Sequence, residues 1–185
     1  MSQIPKHFTL ILLLNLMLAS CTKAIDFSQV EDLEITPILE SSLIFFNEPV
    51  NRFLNNGNEI TLIQDFVLVE VFNEEIIVDQ LIKVEFVFET KNSINRAFEL
   101  QVDFFDESEQ LQHTFTLQQE ASINNIEIES SFIEVFENAT LGALKRSSVI
   151  LFTLRMLPGE QIDQNSFGRI DFKSKSVFYF NITTI

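Results

Sequence analysis

Apolar and polar residues alternate with a period of two through much of this 185-residue chain, and this pattern restricts what it can fold into. Every second residue is apolar from Ile82 to Phe88 and again from Phe98 to Phe104. Successive side chains of a β-strand point to opposite faces, so the pattern predicts strands with one buried face. Polar residues 91–96 predict a turn between them, and residues 111–117 repeat the alternation. We therefore predict a three-stranded antiparallel meander.

The rest of the chain extends the same pattern. Strand-like segments occur at 33–46, 60–72, 149–157 and 169–182, separated by Asn-, Gly- and Pro-containing turns. Residues 131–147 break the alternation. There, a Ser131–Glu134 capping box and helical spacing predict one or two short helical turns that cross between sheets. Seven or eight strands predict an all-β fold, an Ig-like antiparallel β-sandwich, as a single domain over 33–185.

The N-terminus follows a different pattern. Lys6 precedes a run of eleven mostly apolar residues, Phe8 to Leu18. As a helix, this run would reach only about 16 Å at ~1.5 Å per residue, roughly half of the ~30 Å hydrocarbon core of a bilayer. The length predicts a removable signal peptide over residues 1–20 and argues against a stable membrane span.

Leu18-Ala19-Ser20-Cys21 follows the apolar run directly and resembles the lipobox of bacterial lipoproteins. The resemblance implies cleavage before Cys21, a thioether-linked diacylglyceryl group on its thiol, and a fatty acyl group such as palmitate on its amine. The lipid bilayer is then a partner through these acyl chains, and residues 21–32 are the lipidated Cys and a tether. A plain signal peptide with an incidental Cys is the alternative.

Two longer stretches, "CTKAIDFSQVEDLEITPILESSLIFF" and "NSINRAFELQVDFFDE", are similar to exported lipoproteins of flavobacteria and other Bacteroidota. That resemblance implies the bacterial cell envelope, at the periplasmic or surface face of the outer membrane. It carries no assigned activity and no catalytic residues. Lys23 is followed by Ala24 and Ile25, and Asp26 comes only afterwards, so the surface-export signal of some such lipoproteins is matched only in part.

Composition excludes several classes of function. The formal net charge is −15, which argues against nucleic acid or an anionic lipid surface as a partner because both need a basic face. The chain has one cysteine, so with Cys21 lipidated no disulfide can form and the fold must be held by its core. It has 20 phenylalanines, one tyrosine and no tryptophan, which predicts a packed core and is unlike a typical sugar-binding platform.

Candidate catalytic and metal-binding residues are few. His113 lies inside an alternating strand without a recognisable nucleophile motif, which favours a structural role. Asp103, Asp106, Glu107 and Glu109 cluster near a predicted strand end and are weak candidates for binding Ca²⁺. They lack the Asp-x-Asp-x-Asp-Gly spacing, so a solvated strand end is favoured. Asp163, Asn165 and Ser166 form a second, weaker candidate. No cofactor is implied.

The remaining motifs point to contact surfaces more than to chemistry. Asn138-Ala139-Thr140 and Asn181-Ile182-Thr183 match the Asn-glycosylation pattern, but chance is favoured in a bacterial lipoprotein. Phe105 and Val87 are expected to face outward.

We expect a membrane-anchored, non-enzymatic binding or accessory domain whose partner is an envelope protein or a glycan. The alternative is a carboxylate-dependent enzyme acting on glycans. A flat apolar patch on one sheet would favour the accessory role, and a cleft with two facing carboxyls ~5–9 Å apart would favour the enzyme.

The lipid anchor can be tested directly. Acyl chains contribute ~0.8 kcal/mol per buried CH₂, so two or three chains hold a domain stably on a bilayer. The variant Cys21→Ala is therefore expected to be soluble or to keep its leader. Membrane fractionation and the intact mass of the N-terminal peptide measure this, and unchanged fractionation of the variant would contradict the prediction.

Overall fold

Two four-stranded sheets bury the alternating apolar residues between them. The computed structural model describes residues 34–69 and 75–183; the leader, Cys21 and the tether up to residue 33 lie outside this range. Residues 34–182 form one compact unit. Among the described residues, no helix combines the length and hydropathy needed to span a bilayer.

Strands make up most of the described chain, with two short helices and one 3₁₀ turn between them. The strands are β1 (Glu34–Ile35), β2 (Ile38–Pro49), β3 (Leu54–Asn55), β4 (Asn58–Glu59), β5 (Leu62–Leu68), β6 (Leu81–Asn92), β7 (Phe98–Phe105), β8 (Leu111–Gln119), β9 (Ile128–Glu137), β10 (Val149–Met156), β11 (Arg169–Phe180) and β12 (Ile182–Thr183). The helices are α1 (Glu75–Gln80) and α2 (Asn138–Lys145), and the 3₁₀ turn covers Val50–Phe53.

Eight of the described strands build the sandwich. Sheet A has the order β5-β10-β7-β8 and sheet B the order β2-β11-β6-β9, with every neighbouring pair antiparallel. The predicted antiparallel β-sandwich is therefore confirmed. The edges are β5 and β8 in sheet A, and β2 and β9 in sheet B.

Phenylalanine side chains fill the space between the sheets. Phe86 of sheet B and Phe104 of sheet A stack with their ring centroids 5.8 Å apart, and Phe136 contacts both at 5.2 Å. Burying one such side chain contributes about 1.5–3 kcal/mol, so the rings can hold the domain without a disulfide. The largest fully buried aromatic side chains are Phe53, Phe86, Phe88, Phe98, Phe104, Phe136, Phe152 and Phe172.

The predicted three-stranded meander is wrong at its first connection. β7 and β8 pair as expected, but β6 lies in sheet B and β7 in sheet A. The apolar faces of β6 and β7 meet across the core, as the stacking of Phe86 on Phe104 demonstrates. Residues 93–97 form a corner between sheets, in which the Asn92 amide donates to the carbonyls of Arg96 and Glu120 and accepts from Ile94 N–H.

The helical segment begins later than predicted. Residues 131–137 continue strand β9, so Ser131 and Glu134 do not cap a helix. Helix α2 begins at Asn138, where the backbone turns to φ 51° and Glu137 N–H donates to Thr140 Oγ1 over 3.0 Å. The predicted crossing is right, because β9 belongs to sheet B and β10 to sheet A.

Gly168 holds two loops at closer range than a side chain would allow. Its φ is +108°, and an added Cβ would lie 2.3 Å from the Ser93 carbonyl oxygen. Beside it, Ser93 and Arg169 exchange hydrogen bonds, including Ser93 N–H to Arg169 O over 2.9 Å. The loop before β7 and the loop before β11 therefore depend on the glycine for their contact.

A pair of glycine variants tests this contact. Gly168→Ala must strain the backbone and push Ser93 away, so we expect a loss of about 2–4 kcal/mol in the free energy of unfolding. Gly57→Ala is the matched control: its φ is +81°, but nothing lies within 4 Å of the added Cβ. The control should lose only about 1 kcal/mol. Urea denaturation measures both, and equal losses would contradict the clash.

Candidate functional site

The four acidic side chains near the β7–β8 turn do not converge on one point. Asp103 is buried on the outer face of sheet A, where it accepts hydrogen bonds from Gln101 Nε2 at 2.8 Å and Thr114 Oγ1 at 2.6 Å. Asp106 instead organises the turn, accepting from the backbone N–H groups of Ser108 and Gln110.

Glu107 and Glu109 lie exposed in this turn, and Glu109 has φ 58°. Within residues 34–69 and 75–183, no three His, Cys, Asp or Glu side chains stand close enough to hold a metal ion. The local hydrogen bonds therefore give Asp103 and Asp106 roles in the sheet and its turn.

Asp163, Asn165 and Ser166 do meet, in a tight turn of the loop before β11. Asp163 Oδ1 accepts from Asn165 N–H at 2.8 Å and from Ser166 Oγ at 3.1 Å. These hydrogen bonds, the backbone one first, lower the pKa of Asp163. The carboxylate is thus held ionised at neutral pH, which suits a turn and is the wrong state for a general acid.

His113 seals one side of the sandwich, consistent with a structural residue. Its Nε2 lies 2.7 Å from Glu134 Oε1 on the edge strand of the other sheet, and its ring packs on Phe104 and Phe136. Next to this pair, Phe115 of β8 stacks on Phe132 of β9 with centroids 5.6 Å apart. The β8/β9 side of the sandwich is therefore closed by side chains from both sheets.

Other singled-out residues also have structural partners. Thr140 of the first glycosylation pattern caps α2, and Asn181 of the second donates its backbone N–H to Gln80 O. Lys145 Nζ donates to Val78 O and Leu81 O, and burial lowers its pKa. Arg146 Nε donates to the Gln112 side chain.

The opposite side of the sandwich, between β2 and β5, is open. A groove of about 310 Å³ enters the core there, with Phe46, Ile63, Phe152 and Leu154 in its walls. A second opening of about 190 Å³ lies between the same strands and reaches Phe86. Apolar side chains from both inner faces therefore border a cleft that opens between two sheet edges.

The outer face of sheet A carries an apolar band at one end. One row of cross-strand partners runs over all four strands and consists of Leu68, Val149, Phe105 and Leu111. Phe66 and Leu151 are cross-strand partners in the neighbouring row on the same face. Three of these residues are prominently exposed, Phe66 at 61%, Leu68 at 64% and Leu111 at 54%. Leu111 shares the outer face with Phe105 because the register shifts after Phe104. This band is the flat apolar patch that favours an accessory role.

Along the same edge, the outer backbone groups of β5 have no strand partner within the described part of the chain. Among the described strands β5 pairs with β10 alone. Met156 N–H donates to Thr61 O, and Val69 N–H donates to Ser148 O. The backbone N–H and C=O groups of odd-numbered β5 residues therefore point towards β10. Hydrogen-bonding positions alternate along an antiparallel strand, so even-numbered residues such as Phe66 turn their N–H and C=O away from the sheet. Consistently, Phe66 N–H is capped by the adjacent Asp65 carboxylate at 2.8 Å.

The outer face of sheet B combines ion pairs with exposed apolar side chains. Lys83 Nζ lies 2.6 Å from Glu85 Oε1, and Tyr179 Oη donates to Glu85 Oε2 over 2.8 Å. Lys175 pairs with Glu40, and Lys173 lies over the Phe45 ring. Val87 does face outward here, half-buried between Lys175 and Ile133. Ile38, Phe45, Ile133 and Val135 are also exposed on this face, so exposed apolar area alone does not distinguish the two sheets. On the β5 side, the apolar band lies beside an open groove and a strand edge that is unpaired among the described strands. This combination makes the β5 side the candidate contact surface.

Sequence reasoning found Phe105 but missed Phe66 and Leu68, the most exposed part of the band. The sequence signal that could have identified them is the run Phe66-Val67-Leu68, which makes both faces of a strand apolar. A strand that is apolar on both faces is typical of an interior position, whereas β5 is an edge.

Comparisons with known proteins give only distant likenesses. No protein-family model matches, and no curated protein matches. A secreted protein of Parabacteroides distasonis superposes with a TM-score of 0.43 and 14% identity over 63% of this chain and 37% of its own. The VP2 subviral particle of infectious bursal disease virus superposes with a TM-score of 0.43 and 8% identity, over 78% of this chain and 33% of its own.

A structure described as "CBM4 structure and function" gives a TM-score of 0.34 and 9% identity over 64% of this chain and 60% of that one. The chain thus spans about a third of the first two proteins and three fifths of the third. At these scores, the likenesses carry no information about ligand or activity.

The contacts of Glu85 with Lys83 and Tyr179 on sheet B predict a lowered pKa for Glu85 that can be measured by titration. The hydrogen bonds from Lys83 and Tyr179 lower the pKa of Glu85, so its ionised form stabilises the fold above the carboxyl's ordinary pKa. That contribution is lost as the pH falls through the lowered value. Tyr179→Phe removes one donor and should raise the pKa of Glu85, measured by NMR titration of the side-chain carboxyl.

Asp163 is the internal control for this titration, because its own loop lowers its pKa and Tyr179 does not contribute. The pKa of Asp163 should be the same in both proteins. If Glu85 titrates identically with and without the Tyr179 hydroxyl, the assigned cause is wrong.

Proposed function

We propose that this chain is a lipid-anchored, non-enzymatic accessory domain of the bacterial cell envelope that binds an extended segment of a partner protein along β5. The observation that carries the proposal is the free edge of β5, which is apolar on both of its faces. Long apolar edges invite strand pairing, and soluble proteins usually protect them with charges or proline. β5 carries a single charge, that of Asp65, and no proline.

The shape of the site selects an extended occupant. A strand added to β5 would find the N–H and C=O groups of the even-numbered residues unpaired by sheet A. Its inward side chains would enter the groove beside Ile63 and Phe46, and its outward side chains would lie against Phe66 and Leu68. The occupant should therefore be apolar on both faces, as strands buried on both sides are.

The charges near the β5 edge indicate which charged residue the partner segment should carry. The edge strands β2 and β5 carry Glu40, Glu48 and Asp65. Lys175 pairs with Glu40, and Arg52 in the groove wall pairs with Glu48. Among the described residues, Asp65 is therefore the carboxylate of these strands that has no ion-pair partner. Asp65 occupies the hydrogen-bonding position of Phe66 N–H, so an incoming strand must replace that contact with its own carbonyl. A Lys or Arg flanking the apolar segment would then pair with the released carboxylate.

The lipobox at Leu18–Cys21 supports the location in this proposal. Acyl chains on Cys21 would keep the domain at a membrane, at the periplasmic or surface face of the outer membrane. A tethered domain meets its partner at high effective concentration, so a modest edge interaction is sufficient.

A carboxylate-dependent enzyme acting on glycans is less well supported. Asp163 is held ionised by its turn, and Asp103 and Asp106 are engaged in hydrogen bonds within sheet A and its hairpin. A general acid needs a raised pKa, whereas that of Asp163 is lowered. The hydrogen bonds of Asp103 and Asp106 are those of structural carboxylates.

A pair of charge substitutions tests the β5 surface. Phe66→Asp puts a charge where the partner strand would pack, so we expect more than a tenfold loss of affinity for the captured partner. Ile133→Asp is the matched control, because Ile133 is 53% exposed on the outer face of sheet B. Affinity capture from detergent-solubilised envelope, with a photo-crosslinking residue at position 66 or 133, measures the difference.

The crosslinked peptide identifies the occupant. We expect crosslinks from position 66 to one extended, largely apolar segment and none of these from position 133. Equal crosslinking at both positions, or unchanged capture by Phe66→Asp, would contradict the proposal.

A further inference from the structure

A second concave site lies at the end of the sandwich remote from the apolar band. Three loops, at residues 93–97, 120–127 and 157–168, enclose a pocket of about 260 Å³. Strand β7 runs from this end at Phe98 to the band at Phe105, which separates the two sites by roughly 23 Å at ~3.3 Å per residue. The pocket is therefore separate from the apolar band, although the Leu62 end of β5 lies at the same end of the sheet as the pocket.

The floor of the pocket is a buried arginine whose Nε and Nη1 are engaged in hydrogen bonds. Arg96 is 4% exposed, and its Nε donates to Leu157 O at 2.9 Å. Its Nη1 donates to Glu59 Oε1 at 2.9 Å and Glu160 O at 2.6 Å. Gly159 lies directly on the guanidinium stem, where an added Cβ would be 2.9 Å from Cδ. Arg96 thus ties the loops together and holds the pocket in shape without a ligand.

The walls of the pocket are also held in place by hydrogen bonds between the loops. Asn125 Nδ2 donates both to Ser93 O and to Phe167 O, which links the loop before β9 to the loop before β11. Asn95 Nδ2 donates to Glu160 Oε2 over 2.7 Å. A site built from cross-linked loops loses little conformational entropy on binding.

Two features of this pocket are exposed to solvent and available to a ligand. Phe167 is 74% exposed at its rim, the highest exposure of any phenylalanine in the described part of the chain. The Gln161 amide and the side-chain oxygens of Asn95 and Asn125 line the pocket and have no hydrogen-bond partner among the described residues. The pocket therefore offers a flat apolar ring beside neutral donors and acceptors.

The chemistry of the lining selects the ligand class. An anion is disfavoured, because Glu59, Glu160 and Asp163 outnumber Arg96, whose Nε and Nη1 are already occupied. A wholly apolar ligand would leave the amides unpaired at a cost. A hydroxyl both donates and accepts, which matches carboxamides, and a sugar ring presents C–H groups on one face that can pack on a phenyl ring.

From this geometry we propose that the loop pocket binds one or two rings of a neutral oligosaccharide. The sugar hydroxyls bond to Asn95, Gln161 and Asn125, and a sugar ring packs on Phe167. The chain has no tryptophan, the usual platform residue, and a phenylalanine gives the same flat surface without a polar handle. The volume lies near the lower end of ligand pockets, which fits a short stretch of glycan with the rest of the chain in solvent.

The test uses the full chain in detergent and four defined neutral probes: cellohexaose, xylohexaose, mannohexaose and N-acetylchitohexaose. Saturation-transfer NMR should detect at least one of them, with transfer to ring C–H protons, and calorimetric titration gives its affinity. Phe167→Ala should weaken binding about tenfold, because the buried ring face is lost. Gln161→Ala should weaken it several-fold.

Phe45→Ala is the matched control, since Phe45 is 63% exposed on the outer face of sheet B, away from the pocket. Its affinity for the saccharide should equal that of the unmodified protein. If none of the four probes binds at a probe concentration of about 10 mM, which is high enough to detect a complex with a millimolar Kd, the proposal is overturned. Equal effects of the Phe167 and Phe45 variants on affinity would overturn it as well. Preferential binding of a lysine-containing peptide in competition would overturn it too, by assigning the carboxylates to a cationic ligand. Crosslinking at position 66 is unaffected by any of these outcomes.

Discussion

The packing of phenyl rings between the two sheets is the interaction on which the rest of the structure depends. Phe86, Phe104 and Phe136 contact one another with centroid distances of 5.2–5.8 Å, and they come from three strands in both sheets. The only cysteine lies outside the described domain, so no disulfide supports this contact. The rings also explain the corner after β6, because β6 and β7 bury their apolar faces on each other only from opposite sheets.

The two sides of the sandwich differ in how they are closed. On the β8/β9 side, Phe115 and Phe132 stack and His113 meets Glu134, so the sheets are closed against each other. On the β2/β5 side, the partly buried Phe46 and Ile63 line a groove that stays open. The groove lies beside a strand edge that is unpaired among the described strands, and this combination is the basis of the proposed protein contact.

The apolar band and the proposed glycan pocket lie at opposite ends of sheet A, whereas β5 extends along the sheet from one end towards the other. The loops around Arg96 are held by hydrogen bonds that do not involve β5. A partner strand on the Phe66–Leu68 half of β5 would leave the pocket accessible, and a domain anchored as proposed would then link a carbohydrate to a protein in the envelope. Neither contact requires chemistry, which agrees with carboxylates that are committed to turns and strand ends.

By itself, the sequence determined most of the strands and the class of fold, because alternation is a local property of the chain. Apolar run length is local in the same way, and it is the basis for predicting the leader and its lipobox. The sequence also identified Phe105 as outward-facing, since Phe104 had to face the core. Tertiary structure alone decided that β6 and β7 lie in different sheets, that β5 is an edge, and that Phe167 stands beside Asn125. Pairing, edges and loop pockets join residues far apart in the chain, and period-two alternation is the same whichever strand becomes the neighbour.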